Sequence, residues 1–559
     1  MTTENSGYSH LRLDGATADE PGAGSLVPGS SVPSNSVPGS GAQAWYRDPV
    51  RTAGLAYVFF LIAPLPWVIA YFLPPVNHDA AAILHFAQRW LGGERLYVDL
   101  IDVNPPLIFV LNLVPAAIAR WTSLSGPMAL TACVLGWIAV ALGLGWRLMQ
   151  VSGSTLGDAH RHVLAPLFLF LMIVFPGPDF AQREHLMLVA TLPYLLLAHA
   201  RVAGCAIPRS LAIGVSVFAA LAFALKPHFL LLPLLVEACV ITACGLRRSA
   251  RSPVLWTLGA VFAAYGLFML LVTPAYLNTV VPLAVGQYRD LGGLGPWGVL
   301  FTPKLFAAAA LLLPLSAAAL LRPHPLPRLI AVTAVASVVT AMAQGKGWPY
   351  HVLPAESFVL LLAAALLCDF IDSNPLPNQV QRRKSSMVVM ITIMLAGYYL
   401  CTLTRPTFWR QADFSNSRAG QLLQRFGQLA GRGPILALSP GIYPHFPLVN
   451  YANTMMAMRF MSMWPIQGAY AKCPADGGPF RRPSEMSPAE SFAYNAIVDD
   501  FHRYQPSLVL IDKEPGIQWC AGKDFDYLAY FRTHPVFAAD WEKYRLLTEY
   551  DRYWVYVRR

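Results

Sequence analysis

Long apolar runs separated by short polar loops fill the chain between residues 52 and 403. A helix needs about 20 apolar residues to cross a bilayer, and about eleven of these runs approach or reach that length. They lie at 52–73, 128–149, 163–176, 186–203, 210–225, 229–244, 254–273, 303–321, 329–343, 352–371 and 387–403. The pattern predicts a polytopic α-helical membrane protein whose transmembrane module covers residues 49–403.

A further apolar run at 105–121 is ambiguous. Counting it as a span would place the basic loops 245–253 and 381–386 outside, against the preference of basic loops for the cytoplasmic face. Its internal Pro115 and its Pro-Pro start suit a short helix that lies on the membrane. We therefore interpret it as a re-entrant or juxtamembrane helix within a first outer loop, 74–127.

Both ends of the chain differ from the module. Residues 1–48 are rich in Ser, Gly, Pro and Asn, which predicts a disordered cytoplasmic tail. This tail lacks the basic, apolar and small-residue order of a cleavable signal peptide, so we expect the first apolar run to remain as a span. The less apolar residues 404–559 predict a small extracytoplasmic α/β domain, with strands at 433–439 and 506–514 and a closing hairpin at 544–559.

Composition narrows the class of protein further. Hydrophobic residues make up 55% of the chain and charged residues 13%, whereas soluble domains carry roughly 25% charged residues. The net charge of +10 comes from short clusters between apolar runs and not from a basic stripe with interleaved aromatics. The expected partners are therefore membrane lipids and not nucleic acid.

Six of the eight cysteines lie in or beside apolar runs, where cysteine is usually a small core residue. Cys473 and Cys520 lie in the polar C-terminal region instead. In an oxidising compartment these two could form a disulfide, and free thiols are the alternative.

The acids of the first outer loop are the first candidates for chemistry. Asp79 lies a few residues after the first apolar run, where partial desolvation would raise the basicity of its carboxylate. This placement suits a general base that acts on a lipid-borne substrate. The alternative is that Asp79 caps the helix that follows it. For Asp99 and Asp102 we favour a structural role in the loop.

Other outward loops carry further ionisable groups. The stretch "DFAQREHLM" places Asp179, Arg183, Glu184 and His185 directly before a span, and function is favoured there over a self-neutralising Arg–acid pair. Two later turns, "ALKPHFLL" and "QGKGWPYHVLP", supply cationic donors for a phosphate and aromatic groups for an apolar groove. The candidate binding residues in these turns are Lys226, His228, Lys346, Tyr350 and His351.

An Asp just after the first span, followed by "GGERLYVDLIDVNPPL", resembles the first outer loop of C-type integral-membrane glycosyltransferases. These include the protein O-mannosyltransferases and the bacterial lipid A aminoarabinose transferases. The resemblance covers residues 52–403 in architecture, and its specific part is this loop. One departure is Asn104, since the lipid A branch often has Lys before the Pro-Pro pair.

The resemblance implies roles for individual residues. Asp79 would be the catalytic base, and Glu184 matches the second acidic position better than Asp179 does. Basic residues of later outer loops would hold the lipid phosphate. In this chain they are Lys226, Lys346 and His351.

The same resemblance implies the reaction and its location. The donor would be a polyprenyl-phosphate sugar, transferred with inversion to a hydroxyl of a glycolipid, polysaccharide or protein. The site would face the periplasm from a bacterial inner membrane. No cofactor beyond this donor is implied, and a divalent metal stays open. The alternatives are a transporter or flippase, for which Glu237 inside a span is the main argument, and a ligase or assembly subunit.

Overall fold

A computed structural model describes residues 62–373 and 407–559, together with residue 397 and except for residues 154, 290, 430, 432, 475, 476 and 521. The predicted tail 1–48, residues 52–61 of the first apolar run and nearly all of the run at 387–403 lie outside the described residues. The described residues belong to one compact unit, Pro49–Arg559.

Helices dominate the described residues between 62 and 373. The α-helices are α1 Leu65–Tyr71, α2 His78–Leu91, α3 Pro106–Trp121, α4 Gly126–Val151, α5 Asp158–Leu169, α6 Arg183–Val202, α7 Arg209–Phe223, α8 Leu231–Cys244, α9 Leu246–Arg251, α10 Pro253–Leu271, α11 Gly295–Leu300, α12 Pro303–Leu320, α13 Pro325–Gln344 and α14 Pro349–Ser373. A π-helical turn, Phe170–Val174, extends α5, and a 3₁₀ turn, Pro227–Leu230, precedes α8. Alternating π- and α-helical turns cover Tyr276–Val280, Val281–Leu283 and Ala284–Tyr288.

Among the described residues, seven helical segments are long and apolar enough to cross a membrane. They are Gly126–Val151, Arg183–Val202, Pro227–Cys244, Pro253–Leu271, Pro303–Leu320, Pro325–Gln344 and Pro349–Ser373, and each coincides with a predicted span. The predicted spans at 163–176 and 210–225 correspond to the shorter helices α5 and α7. The chain is thus a polytopic helical membrane protein, as its apolar pattern predicts.

The ambiguous run at 105–121 forms α3, a 16-residue helix that begins directly after Pro105. Proline is well tolerated in the first turn of a helix, because the amide hydrogen it lacks would have no partner there. Pro115 lies inside α3 without ending it. The helix is apolar but shorter than the seven long segments, so the assignment as a juxtamembrane helix stays a prediction.

Helix α6 lies at the centre of the bundle. Every residue from Arg183 to Arg201 is buried, and α6 packs against α4, α7, α8, α13 and α14. Ionisable groups on α6 are therefore shielded from water. The free energy of burying them must be offset by ion pairs or hydrogen bonds.

The C-terminal region combines short helices with a small sheet. Its elements are α15 Thr407–Ala412, α16 Arg418–Leu429, β1 Ile435–Leu438, α17 His445–Tyr451, α18 Trp464–Ala469, α19 Pro488–Tyr504, β2 Leu508–Asp512, α20 Tyr527–Phe531, α21 Pro535–Trp541, β3 Tyr544–Tyr550 and β4 Tyr553–Arg558. The sheet order is β1-β2-β4-β3, with β1 and β2 parallel and the two later pairs antiparallel. The predicted strands and closing hairpin are confirmed. Cys473 and Cys520 form a disulfide.

This region is hydrogen-bonded to α2 through a buried arginine. The Arg89 guanidinium donates to the carbonyl oxygens of Met456 at 3.0 Å and Met458 at 2.8 Å. It also pairs with Glu94 at 2.6 Å, and Glu94 accepts a hydrogen bond from the Tyr504 hydroxyl. The first outer loop and the C-terminal region are therefore joined by groups that would lose their partners together.

Replacing Arg89 with alanine should destabilise the protein by about 2–4 kcal/mol, because carbonyl groups and the Glu94 carboxylate would lose a buried cationic partner. The measurement is the melting temperature of the full chain in detergent. Arg95→Ala is the matched control, since the Arg95 side chain is 71% exposed in its pair with Asp99 and should change stability by less than about 1 kcal/mol. Equal effects of both variants would contradict the prediction.

Candidate active site

The candidate site is built around the N-terminal end of α6. Arg183 and Glu184 are the first two residues of that helix, and both are buried. Each side chain pairs with a group from a different part of the chain: Arg183 with Asp79 of α2 and Glu184 with Lys226. Charges that are far apart in sequence are thereby brought to one end of the bundle.

Asp79 occupies the second position of α2. The side-chain oxygen of Asn77 caps this helix by accepting from the backbone N–H groups of Asp79 and Ala80, at 3.0 and 3.2 Å. The alternative that Asp79 is the helix cap is therefore wrong. Its carboxylate is left to face the α6 end, where Oδ2 accepts from Gln182 at 3.0 Å and from Arg183 at 3.4 Å.

The electrostatic surroundings of Asp79 differ from the expectation of raised basicity. Burial raises its pKa, but the charges of His78 and Arg183, the hydrogen bond from Gln182 and the charge of Lys226 together bring the pKa below its usual value. The expected rise was wrong because the sequence does not reveal how many donors and cations surround the carboxylate. Asp79 is therefore held as an anion at neutral pH.

A chain of polar contacts extends from Asp79 to Asp102. The other nitrogen of the Arg183 guanidinium donates to the Asn104 side-chain oxygen. Asn104 donates in turn from its amide nitrogen to Asp102 Oδ1 at 2.6 Å. Burial raises the pKa of Asp102, and the hydrogen bonds from Asn104 oppose that rise. Asp102 thus orders the loop before α3, in line with its expected structural role.

Glu184 and Lys226 form the second buried pair of the site. Glu184 Oε1 lies 2.5 Å from Lys226 Nζ, and Lys226 also donates to Gln344 Oε1 at 2.8 Å. His351 Nε2 lies 3.8 Å from the same Glu184 oxygen. Burial lowers the pKa of Lys226 to about 8, although Glu184 opposes the shift. Lys226 lies between α7 and the segment Pro227–Cys244, outside both.

An aromatic ring joins the two pairs. The Tyr350 ring centroid lies 5.9 Å from the Arg183 guanidinium carbon and 5.5 Å from Lys226 Nζ. Tyr350 also packs edge-on against His351, with 4.4 Å between ring centroids. The two cations therefore share one aromatic surface, and cation–π attraction adds to their ion pairs.

Three further predicted binding residues, Lys346, His228 and Asp179, take no part in the two ion pairs of the site. Lys346 donates to the backbone carbonyls of Tyr288, Arg289 and Leu291, so its ammonium group stabilises the chain at these three residues. His228 lies in the 3₁₀ turn before α8, and the buried Asp179 ends the 3₁₀ turn Gly177–Asp179.

His185 has a structural role. Its Nδ1 accepts from the Ala181 backbone N–H at 3.2 Å, and its Nε2 donates to the Met172 carbonyl at 2.7 Å.

Neutral amides are the site residues that the sequence does not single out. Gln182 bridges Asn77 and Asp79, Asn104 links Arg183 to Asp102, and Gln344 binds Lys226. Amide side chains carry no charge and are common in loops, so no pattern marks them in advance. Asn104 stood out only as a departure from the lipid A branch.

The acids of the candidate site do not form a set of convergent metal ligands within the described residues. Within the described residues, no group of three convergent imidazole, thiolate or carboxylate ligands includes Asp79, Asp102 or Glu184. Their contacts are to amides and cations instead. Metal dependence of this site stays open, and the described donors favour cation chemistry from Arg183 and Lys226.

No protein-family model matches the chain, and no curated protein matches its sequence. Two crystal structures of ArnT from Cupriavidus metallidurans, one in the apo state and one bound to undecaprenyl phosphate, have a similar fold. Both give a TM-score of 0.56 and cover 90% of this chain and 98% of ArnT, at 13% and 14% identity. The predicted resemblance to C-type integral-membrane glycosyltransferases is confirmed at the level of the fold.

The Glu184–Lys226 pair should show strong energetic coupling. Glu184→Gln alone should cost about 3–5 kcal/mol, because it leaves the Lys226 ammonium group buried beside Arg183 without a counter-charge. Adding Lys226→Met should recover much of that loss, as measured by melting temperatures in a double-mutant cycle. The exposed pair Lys513–Glu549, at 2.8 Å, provides the matched control. Additive effects at Glu184 and Lys226 would contradict the assigned pairing.

Proposed function

We propose that the protein transfers a sugar from a polyprenyl-phosphate donor to an acceptor hydroxyl at the outer face of the membrane. The observation that carries the proposal is one ionised carboxylate, Asp79, beside two buried cations, Arg183 and Lys226, at one end of the bundle. The transferase-like fold supports it, as does the undecaprenyl phosphate bound by the similar ArnT structure.

The reaction requires one base and stabilisation of one leaving group. Asp79 accepts the proton of the acceptor hydroxyl as its oxygen attacks the anomeric carbon. The bond from that carbon to the phosphate oxygen breaks, and the bonding electrons remain on the phosphate. Arg183 and Lys226 stabilise the negative charge that develops there. A single displacement inverts the anomeric centre, as in inverting glycosidases.

Glu184 has a different role from the second catalytic acid that the resemblance implies. It is fully buried, and Oε1 is bonded to Lys226. We therefore assign it as a positioning residue that holds the Lys226 ammonium group near Tyr350. His351 packs beside this pair. Among the predicted phosphate ligands, Lys226 is supported better than Lys346, whose ammonium group binds backbone carbonyls.

Asp79→Asn should lower sugar transfer at least about 100-fold, because an amide cannot accept the hydroxyl proton. The assay follows radiolabel from a polyprenyl-phosphate sugar into a membrane extract at matched expression, and the labelled product identifies the acceptor. Asp99→Asn is the control, since that acid of the same loop binds only the local Arg95 in the contacts described. Retained transfer by Asp79→Asn would refute the assignment of the base.

The catalytic efficiency for the donor should fall at alkaline pH. Because the pKa of Lys226 is lowered to about 8, raising the pH through that value removes the proton of its ammonium group. The positive charge that stabilises the phosphate is lost with it. The value of kcat/KM for the donor should then fall about tenfold per pH unit above the pKa. Lys226→Arg should abolish this alkaline decline, since arginine keeps its charge. A decline of equal steepness in Lys226→Arg would exclude Lys226 as its origin.

A further inference from the structure

A second cluster of ionisable groups lies at the opposite end of the same helices. His324 directly precedes α13, whose last residue, Gln344, contacts Lys226. Asp369 lies near the end of α14, which begins beside Tyr350. With His160 of α5, these residues form a cluster that the proposed transfer reaction does not use.

The ligand atoms of this cluster converge on one point. Asp369 Oδ1 lies 3.2 Å from His160 Nε2 and 3.5 Å from His324 Nδ1. The three ligand atoms all lie within 4.8 Å of one another. Bonds of 2.0–2.1 Å to a tetrahedral Zn²⁺ place neighbouring ligand atoms about 3.3 Å apart, so the two short distances already match a metal site.

Hydrogen bonds on the far side of each ring determine which nitrogen faces the cluster. His160 Nδ1 lies 3.0 Å from Asp372 Oδ2, and His324 Nε2 lies 3.0 Å from the Thr155 carbonyl oxygen. Carboxylate and carbonyl oxygens only accept, so these nitrogens carry the protons. In the neutral rings the opposite nitrogens present lone pairs to Asp369. Histidines that bind a metal usually donate their other ring N–H to a carboxylate or a backbone carbonyl in this way.

Three acceptors facing one another require a cation or an additional proton. His160 Nε2 and His324 Nδ1 are buried and without a hydrogen-bond partner among the described residues. The same is true of Asp369 Oδ2, the second oxygen of the carboxylate whose Oδ1 faces the two rings. His160 is 1% exposed and Asp369 6%. Groups buried so completely are normally satisfied, and an ion bound between the rings and the carboxylate would satisfy both ring nitrogens at once.

We propose that His160, His324 and Asp369 bind a divalent transition-metal ion of the Zn²⁺ class. Two neutral imidazoles and one carboxylate form a donor set that zinc accepts, and the fourth position remains for water. Asp372, through His160, supplies the second negative charge that neutralises the ion. The ion would hold α5, the start of α13 and the end of α14 together.

The residues around the cluster hold Asp372 in position and leave a cavity through which an ion can enter. Asp372 Oδ1 accepts from the Ala159 backbone N–H at 3.0 Å while Oδ2 holds His160. A Cβ atom at Gly157 would lie 1.9 Å from Asp372 Oδ2, so glycine is required for this approach. A cavity of about 460 Å³, lined in part by the three ligands, His199 and Arg322, gives an entry path.

The test uses the full chain with a tag free of histidine, purified in detergent, treated with chelator and titrated with Co²⁺. We expect a single Co²⁺ per chain with the visible absorption of a tetrahedral site. His160→Gln and Asp369→Asn should lose both signals. His502→Gln should keep them, because His502 pairs with Asp540 in the C-terminal region.

A second measurement does not depend on variants that fold. Zn²⁺ should raise the melting temperature of the chelator-treated wild type by at least about 2 °C, since a ligand that binds only the folded state stabilises it. No stoichiometric Co²⁺ and no shift with Zn²⁺ in the wild type would overturn the proposal and leave a cluster that holds an extra proton. Undiminished Co²⁺ binding by folded Asp369→Asn would overturn it as well.

Discussion

Two adjacent charges at the buried start of α6 impose the constraint on which the candidate site depends. Arg183 and Glu184 lie in the most enclosed helix of the bundle, where an unpaired charge would cost several kcal/mol. Arg183 requires an acid, which α2 supplies as Asp79. Glu184 requires a base, which the link between α7 and the turn Pro227–Leu230 supplies as Lys226. The geometry of the site follows from satisfying both requirements at once.

The architecture could be predicted from the sequence because it depends on long-range patterns. Apolar runs of bilayer length and short, fully buried strands can be recognised even when their boundaries are wrong by a few residues. The first outer loop also carries enough specific residues to indicate the transferase-like fold. Opposite charges such as Arg183 and Asp79 could also be expected to matter, since charges are scarce in this chain.

The arrangement of the site could not be predicted to the same depth. The cap of α2 is Asn77 and not Asp79, because capping depends on the backbone angles at one residue, which the local sequence does not determine. The pKa of Asp79 depends on four surrounding groups from three parts of the chain. Lys346 and Lys226 look alike in sequence, yet one binds backbone carbonyls and the other an acid.

The contacts of Glu237 weaken the main argument for the transporter alternative. Glu237 Oε1 lies 2.6 Å from the Arg201 guanidinium and accepts from the Tyr194 hydroxyl at 2.8 Å, so this acid joins α6 to α8. The other oxygen, Oε2, has no hydrogen-bond partner among the described residues, but the carboxylate's charge is already neutralised by Arg201. The free energy of breaking a buried pair is large, so Glu237 is better explained as part of the bundle's internal packing. The groups available for the proposed transfer reaction are then Asp79, Arg183 and Lys226 at one end of the bundle.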